Sequence, residues 1–526
     1  MCLFAAVAGL LAVASCSVAA LAQEEKTYNQ PIWFDDWLDW CLKWNADCGK
    51  PAADNFCNRK RYTGASSFAA ELARVWRGSV CAGLSVIALV MLTSLLPTGF
   101  ASADDCHVTE SGIPKNVIAP VDVAGIRKSL ATDGIALGGS YLAESFGNRG
   151  GINQGVTYDG LLTLYLNADM KKLGLWKGLC FYANAFQIHG RSITVDNIGS
   201  LMAVSDAEAT PATRLDELWF EQHLFNDHVA VRFGQLVADN EFIVSNGGLH
   251  FLNSTLGWPS IAAFDLPGGG PAYPLATPGI RVAITPNDQL GLKLAVFNGD
   301  PADPNCRGDP QVCNNDGLDF RLDSPPLLVA EAAYKYNQKE GLAGTIKVGG
   351  WNHFGKFADQ RFDSGGLPIV GTSNPGRPID GDWGIFGIID QLVWRLPGSE
   401  QPKGVALFGR VMGAPSDQNL IDFYTDGGIT FTGMIPRRPD DALAIGFAYT
   451  GVSNQVHGFD LDSGFPVART YEALLEICYT TQLKPGWTLQ PDFQYFWQPG
   501  GNVPDPSGKG AVANAAVVGA RTTINF

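Results

Sequence analysis

Beyond residue 105 the chain has no apolar run approaching the ~20 residues that a membrane-spanning helix requires. If that part crosses a bilayer, it does so with strands. Basic residues are in deficit: 37 Lys and Arg stand against 52 Asp and Glu, a formal net charge of −15, which argues against nucleic acid as a partner. Cysteine is scarce where the chain is longest. Seven of the eleven lie at or before Cys106, leaving Cys180, Cys306, Cys313 and Cys478. Cys306 and Cys313 share the segment N-C-R-G-D-P-Q-V-C-N, which offers too few further ligands for zinc and reads as a short-loop disulfide on the outer surface. Cys41, Cys48 and Cys57 match no metal pattern, and no metal or cofactor is expected. The triple glycine Gly268–Gly270 lacks the strand-then-helix setting and the Lys of a phosphate loop.

Turn formers and aromatics are plentiful instead, with 61 Gly, 31 Pro, 13 Trp, 14 Tyr and 29 Phe. Mean hydropathy is only +0.03. Two segments near the N-terminus have a secretory pattern. Cys2–Ala22 is apolar and ends A-L-A, but no basic residue precedes it. The second has Arg74 and Arg77, then the apolar Val80–Leu96, then Ala101-Ser102-Ala103, the order of a signal peptide. This divides the chain into an N-terminal extension (1–78), a signal peptide (79–103), a periplasmic N-terminal segment (104–134) and a β domain (135–526), with export to an oxidising compartment.

From residue 135 the sequence alternates apolar and polar positions between turn clusters. The tail A-A-V-V-G-A-R-T-T-I-N-F sets Ala516, Val518, Ala520, Thr522, Ile524 and Phe526 on one face and Arg521, Thr523 and Asn525 on the other. The same alternation turns Leu290, Leu292, Leu294 and Val296 outward and Lys293 inward, and in 471–479 it places Glu472 and Glu476 inside. Seven short turns fall around 171–177, 226–227, 286–288, 337–342, 397–403, 436–440 and 484–486. Longer connections, among them 191–213, 238–279, 299–325 and 355–381, alternate with them. The count gives an all-β, sixteen-stranded antiparallel transmembrane β-barrel, with short periplasmic turns, long outer loops and an aqueous lumen.

The hairpin at 215–237 fixes a register. With Asn226-Asp227 as its turn, Glu221 lies opposite Arg232 in the lumen, and Phe220 opposite Phe233 on the lipid side. In this reading Arg232 is the partner of Glu221, and its removal leaves the carboxylate alone. His223 and His228 lack a useful metal spacing and read as wall residues. The next loop, 238–279, is the longest and least charged, and it carries Phe251, Trp258, Phe264 and Tyr273, so it is expected to fold inward over the mouth. The candidates for lining the pore and contacting solute are Glu217, Glu221, Arg232, Trp258, Asp265, Arg281, Lys293 and Glu331.

The run F-D-L-P-G-G-G-P-A-Y-P-L-A-T-P-G-I-R (264–281) resembles the carbohydrate-selective, OprB-type porins of bacterial outer membranes. So do Y-D-G-L-L-T-L (158–164), N-A-F-Q-I-H-G (184–190), L-D-E-L-W-F-E-Q (215–222), F-I-V-S (242–245), V-F-N-G-D-P (296–301) and G-G-W-N-H-F-G-K-F-A-D-Q-R-F (349–362). The resemblance covers roughly 125–526 and leaves out 1–103. It implies passive diffusion of glucose and related sugars through a narrow, partly charged constriction, and no catalysis. The implied partners are outer-membrane lipid, small carbohydrates and, through the strand ending at Phe526, the barrel assembly machinery; porins of this size suggest a homotrimer by analogy. A general or ion-selective porin is the alternative, but the inward positions mix Glu217, Glu221 and Glu331 with Arg232, Arg281 and Lys293, whereas an anion pore needs excess cations. The remote alternative is a secreted glycan-binding or glycan-cleaving β protein. Glu217 and Glu221 would stand about 13 Å apart along a strand, too far for a glycosidase pair.

Overall fold

The computed structural model describes residues 125–526 except 304, 307, 339–340, 400–402 and 507–509, together with 41–43, 46–48, 106, 108 and 117. The expected signal peptide and most of the N-terminal extension lie outside the described residues. The chain divides into two compact units, Met1–Thr98 and Gly99–Phe526. In the first, Cys41–Lys43 pairs antiparallel with Ala46–Cys48.

The second unit is a closed barrel of sixteen antiparallel strands. They are β1 (Ile135–Gly151), β2 (Val156–Asp169), β3 (Leu179–Gly190), β4 (Ala212–Leu224), β5 (Val229–Leu236), β6 (Thr277–Ile284), β7 (Leu290–Asn298) and β8 (Pro326–Tyr336). The second half comprises β9 (Gly344–Asp363), β10 (Gly376–Arg395), β11 (Gly404–Gly413), β12 (Ile421–Thr432), β13 (Ala442–Val452), β14 (Tyr471–Lys484), β15 (Trp487–Trp497) and β16 (Ala513–Asn525). Alternation decides which side of each strand faces out. Val518 is 62% exposed while its neighbour Val517 is 0% exposed. Ile280, Leu294, Val348 and Ile385 likewise stand outward, forming the apolar band that a bilayer requires.

Closure leaves no sheet edge. β16 pairs with β1 in a register that sets Arg521 against Glu144. Beyond the last strand, Phe526 N donates to Gly139 O at 2.9 Å and Gly139 N to Phe526 O at 3.0 Å. A Cβ at Gly139 would meet the Phe526 ring at 2.8 Å, so glycine is required where the terminal aromatic packs.

All seven short turns fall where the sequence places them, but the other side of the barrel differs in three ways. The β1–β2 connection is only 152–155, held tight because Asn148 accepts from Gly155 N and donates to Gly150 O and Asn153 O. The expected loop 355–381 is mostly strand. After an irregularity between His353 and Lys356 pairing resumes as Lys356 with Asp380, so β9 and β10 reach 20 residues each and the loop shrinks to 364–375. The lumen is also not simply aqueous. Two loops enter it, β3–β4 (191–211) as well as the expected β5–β6 (237–276), and their Ile198, Met202, Val204, Phe242, Leu252 and Ile261 form an apolar core against the inner wall. Each such side chain contributes roughly 1.5–3 kcal/mol on full burial.

Two disulfides are present among the described residues. Cys306 and Cys313 are joined in the β7–β8 loop, with Cα atoms 5.9 Å apart. A second bridge, which spacing did not reveal, joins Cys106 to Cys180, 74 positions away. Cys180 faces inward next to the β2–β3 turn, and nearby Val108 packs on Ala131 and Ala136. Closing a loop of that size is worth about 4 kcal/mol in the chain-entropy account. In unboiled detergent gels Cys106→Ala should lose compact barrel migration at a lower temperature than the parent; an unchanged temperature would show that the bridge adds no stability.

Candidate functional site

A loop inside a barrel brings backbone N–H and C=O groups into a place where every unpaired group is costly. Here charged wall residues supply the partners. Glu331 on β8 accepts from Ile243 N at 3.0 Å, and Asp390 on β10 accepts from Ser245 Oγ at 2.8 Å and Gly247 N at 3.0 Å. Glu476 on β14 accepts from Leu252 N at 2.6 Å and Asn253 N at 3.2 Å. Carbonyls are met by cations. Lys293 Nζ donates to Glu241 O at 2.7 Å and Lys347 Nζ to Val244 O at 2.5 Å. Arg410, buried on β11 and ion-paired with Asp426, donates to the carbonyls of Ile243, Thr255, Leu256 and Gly257.

The β3–β4 loop is gripped in the same manner. Glu472 accepts from Ser200 Oγ, Leu201 N and Met202 N, and also from Gly500 N in the β15–β16 connection, and Arg521 donates to Ser205 and Asp206. Asp206 N to Leu252 O (2.8 Å) and Ser254 N to Ala203 O (3.0 Å) join the two loops. The triple glycine serves the second loop's return path. Gly268, Gly269 and Gly270 have φ of 60°, 85° and 76°, three successive left-handed residues that side chains rarely adopt.

Where the β5–β6 loop leaves β5, four charges form a closed ring. The hairpin register is the expected one, with Glu221 opposite Arg232 and Phe220 opposite Phe233. Arg232 in turn stands opposite Arg281 on β6. Two like charges side by side repel, and carboxylates on both flanks reverse that. Arg232 contacts Glu221 at 3.0 Å and Glu241 at 2.7 Å; Arg281 contacts both at 2.6 Å. Glu241 comes from the loop, turned back by the Glu241 N to Ala238 O bond at 3.0 Å. Glu221 therefore does not depend on Arg232 alone: Arg281 and His223, at 3.0 Å, also hold it.

Beside the ring runs an aromatic wall. Tyr165 and Tyr182 have ring centroids 6.5 Å apart, Tyr182 and Trp219 stack at 5.0 Å, and the Arg232 guanidinium lies 3.7 Å over the Trp219 ring. Glu217 accepts from Trp219 Nε1 at 3.1 Å and fixes the indole. Tyr165, Asn167, Tyr182, Glu217, Trp219 and Arg232 line an open pocket of about 280 Å³.

Of the residues proposed from sequence, Glu217, Glu221, Arg232 and Arg281 converge here. Lys293 touches the ring through the Glu241 carbonyl, and Glu331 is taken up holding Ile243. Trp258 and Asp265 lie elsewhere. The indole donates to Gly269 O at 3.1 Å, and the carboxylate accepts from Ile421 N at 3.2 Å, so both secure the loop. Glu241, Trp219, Tyr182 and Arg410 were not singled out. Alternation with Glu217 and Glu221 marks Trp219 as inward, but Tyr182 comes opposite it through a register that crosses the long 191–211 loop and a bulge, which the sequence does not fix. Nothing periodic marks Glu241, because it acts from a loop.

Comparison with known proteins bears on this geometry. The family model for the carbohydrate-selective porins, the OprB family, matches residues 153–526. The chain belongs to that family. Porin B of Pseudomonas aeruginosa is 24% identical over 440 residues, covering 78% of this chain and 92% of the relative. A putative porin, QuiX, of Acinetobacter baylyi is 23% identical over 439 residues, covering 77% and 92%. Among solved structures the high-pH form of Pseudomonas putida OprB superposes with a TM-score of 0.68 at 20% identity, over 79% of this chain and 99% of the other. The porin is thus a sixteen-stranded outer-membrane barrel with two infolded loops.

The charge ring of the porin is balanced, two against two, so single neutralisations should act in opposite directions. Arg232→Ala leaves one net negative charge in a narrow lumen and should raise cation preference; Glu241→Gln leaves one net positive charge and should lower it. Reversal potentials of planar bilayers in a salt gradient measure both. Shifts of the same sign, or none, would place the ring away from the narrowest point.

Proposed function

We propose that the porin admits carbohydrates, glucose and related sugars, by passive diffusion, and that the pocket beside the charge ring is where it reads them. The observation that carries this reading is the pocket in which the half-buried Tyr165 and Tyr182, backed by the buried Trp219, adjoin the Glu221–Arg232–Arg281–Glu241 ring. Sugars present C–H faces that stack on aromatic rings and hydroxyls that bond to charged groups. A surface with both beside each other suits them better than it suits a simple ion. The carboxylates support transit over cleavage: Glu221 is held by two guanidinium groups and Glu217 by an indole N–H, so neither is arranged as an acid–base pair.

Tyr182→Ala should weaken this surface by about 1 kcal/mol, roughly fivefold in sugar affinity. Glucose block of ion current through single channels reads that change, and liposome swelling reads the flux. Undiminished glucose block in the variant would remove the aromatic wall from the sugar path and favour a general porin.

In the same reading the chain is exported through the 79–103 segment, residues 1–78 lie upstream of it, and the mature protein begins near Asp104, with Cys106 close to its start. The strand ending at Phe526 would be read by the barrel assembly machinery, and the assembled form would be a homotrimer. N-terminal sequencing of protein taken from outer membranes tests the start. Asp104 is expected, and a start at Gln23 would contradict it.

A further inference from the structure

Beneath the β5–β6 loop, away from the charge ring, the inward positions of β14 and β15 bring together Glu476, Cys478 and Asp492. Cys478 lies directly opposite Asp492, and Glu476 is two places along from Cys478. The sulfur and one oxygen from each carboxylate lie within 4.8 Å of one another. All three residues are deeply buried, with exposures of 0% for Glu476, 2% for Cys478 and 4% for Asp492. Cys478 is a free cysteine.

Hydrogen bonding accounts for all of this group but one oxygen. Glu476 is engaged by the N–H groups of Leu252 and Asn253. One oxygen of Asp492 accepts from Gln494 Nε2 at 2.9 Å, but Asp492 Oδ1 has no partner. Cation is short along the same wall. Glu144 Oε1 and Asp159 Oδ2 are also buried without partners, while Arg521 is occupied by Glu144, Ser205 and Asp206. A buried carboxylate oxygen facing a second acid and a thiol calls for a cation or a proton.

We propose that Glu476, Cys478 and Asp492 bind a divalent cation of the zinc class, with the backbone carbonyl of His250 as a fourth ligand. That carbonyl oxygen accepts from Cys478 Sγ at 3.1 Å and from Gln490 Nε2 at 2.8 Å, and loss of the thiol proton would free the first of these positions for the cation. Sulfur with a few oxygens in a compact group suits zinc, whereas calcium takes six to eight oxygens and magnesium a near-ideal octahedron. On binding, the Cys478 thiol gives its proton to solvent, as does any proton shared by the two acids, and the thiolate and carboxylates take the metal. The cation then ties the loop at His250 to strands β14 and β15.

The test uses the full-length protein folded in detergent, stripped with a chelator, supplied with Zn²⁺ or Ca²⁺ and desalted. Elemental analysis should find one more equivalent of zinc in the parent than in Asp492→Asn, and no retained calcium. Asp492→Asn keeps every cysteine, so zinc held elsewhere cancels in the difference; Cys478→Ser serves if that variant does not fold. Zn²⁺, unlike Ca²⁺, should also raise the temperature at which the unboiled parent loses compact migration. Equal zinc in the parent and a folded variant, or no such rise in the parent, would overturn the proposal and leave a shared proton as the occupant of the cluster.

Discussion

The structure depends on one constraint: peptide groups carried into a barrel lumen must find partners there. A sixteen-stranded wall alone encloses too much space to be narrow. Folding loops inward reduces it, but each loop brings donors and acceptors that water no longer reaches freely. The porin answers with side chains of both signs on the inner wall. Glu331, Asp390, Glu472 and Glu476 take N–H groups, and Lys293, Lys347 and Arg410 take carbonyls. Much of the charge that would give an open pore its ion selectivity is spent on holding structure, and the charge left for solute is concentrated at the ring beside the Tyr182–Trp219 wall.

That division explains which parts of the molecule were legible in the sequence. Strand positions follow from a period of two and from turn residues, both local, and the seven short turns were found for that reason. The Glu221–Arg232 pairing was also local, because a tight hairpin turn leaves one register. The family motifs added the fold and the solute class. Side chains on β2 to β6 that face the pocket could be assigned to the inner wall, since lipid forces the other face to be apolar.

What escaped was contact between distant segments. Lys293 and Glu331 were correctly turned inward, yet their partners are loop peptide groups, and nothing in an alternating strand says whether an inward charge meets water or a backbone. Glu241 sits in a segment without periodicity and enters the ring only because the chain reverses at Ala238. The infolding of 191–211 was missed because its apolar residues, Ile198, Met202 and Val204, are scattered among polar ones. The β9–β10 overhang was hidden by Gly and Pro in strands that pair beyond the irregularity at His353.

The union of β16 with β1 sets an order of events. Arg521 and Glu144 meet across 377 positions of sequence, whereas most neighbouring strands meet across a single turn or loop. Bringing such remote segments together carries the largest entropy of loop closure in the barrel. Fifteen junctions can zip between sequential neighbours, while the sixteenth must wait until both ends of the sheet have formed. Until then two strands stand with open edges in or near lipid, where unpaired peptide groups are most costly. The seam between first and last strand is therefore where assembly finishes, and it is the stage at which an unfinished barrel is exposed to wrong partners.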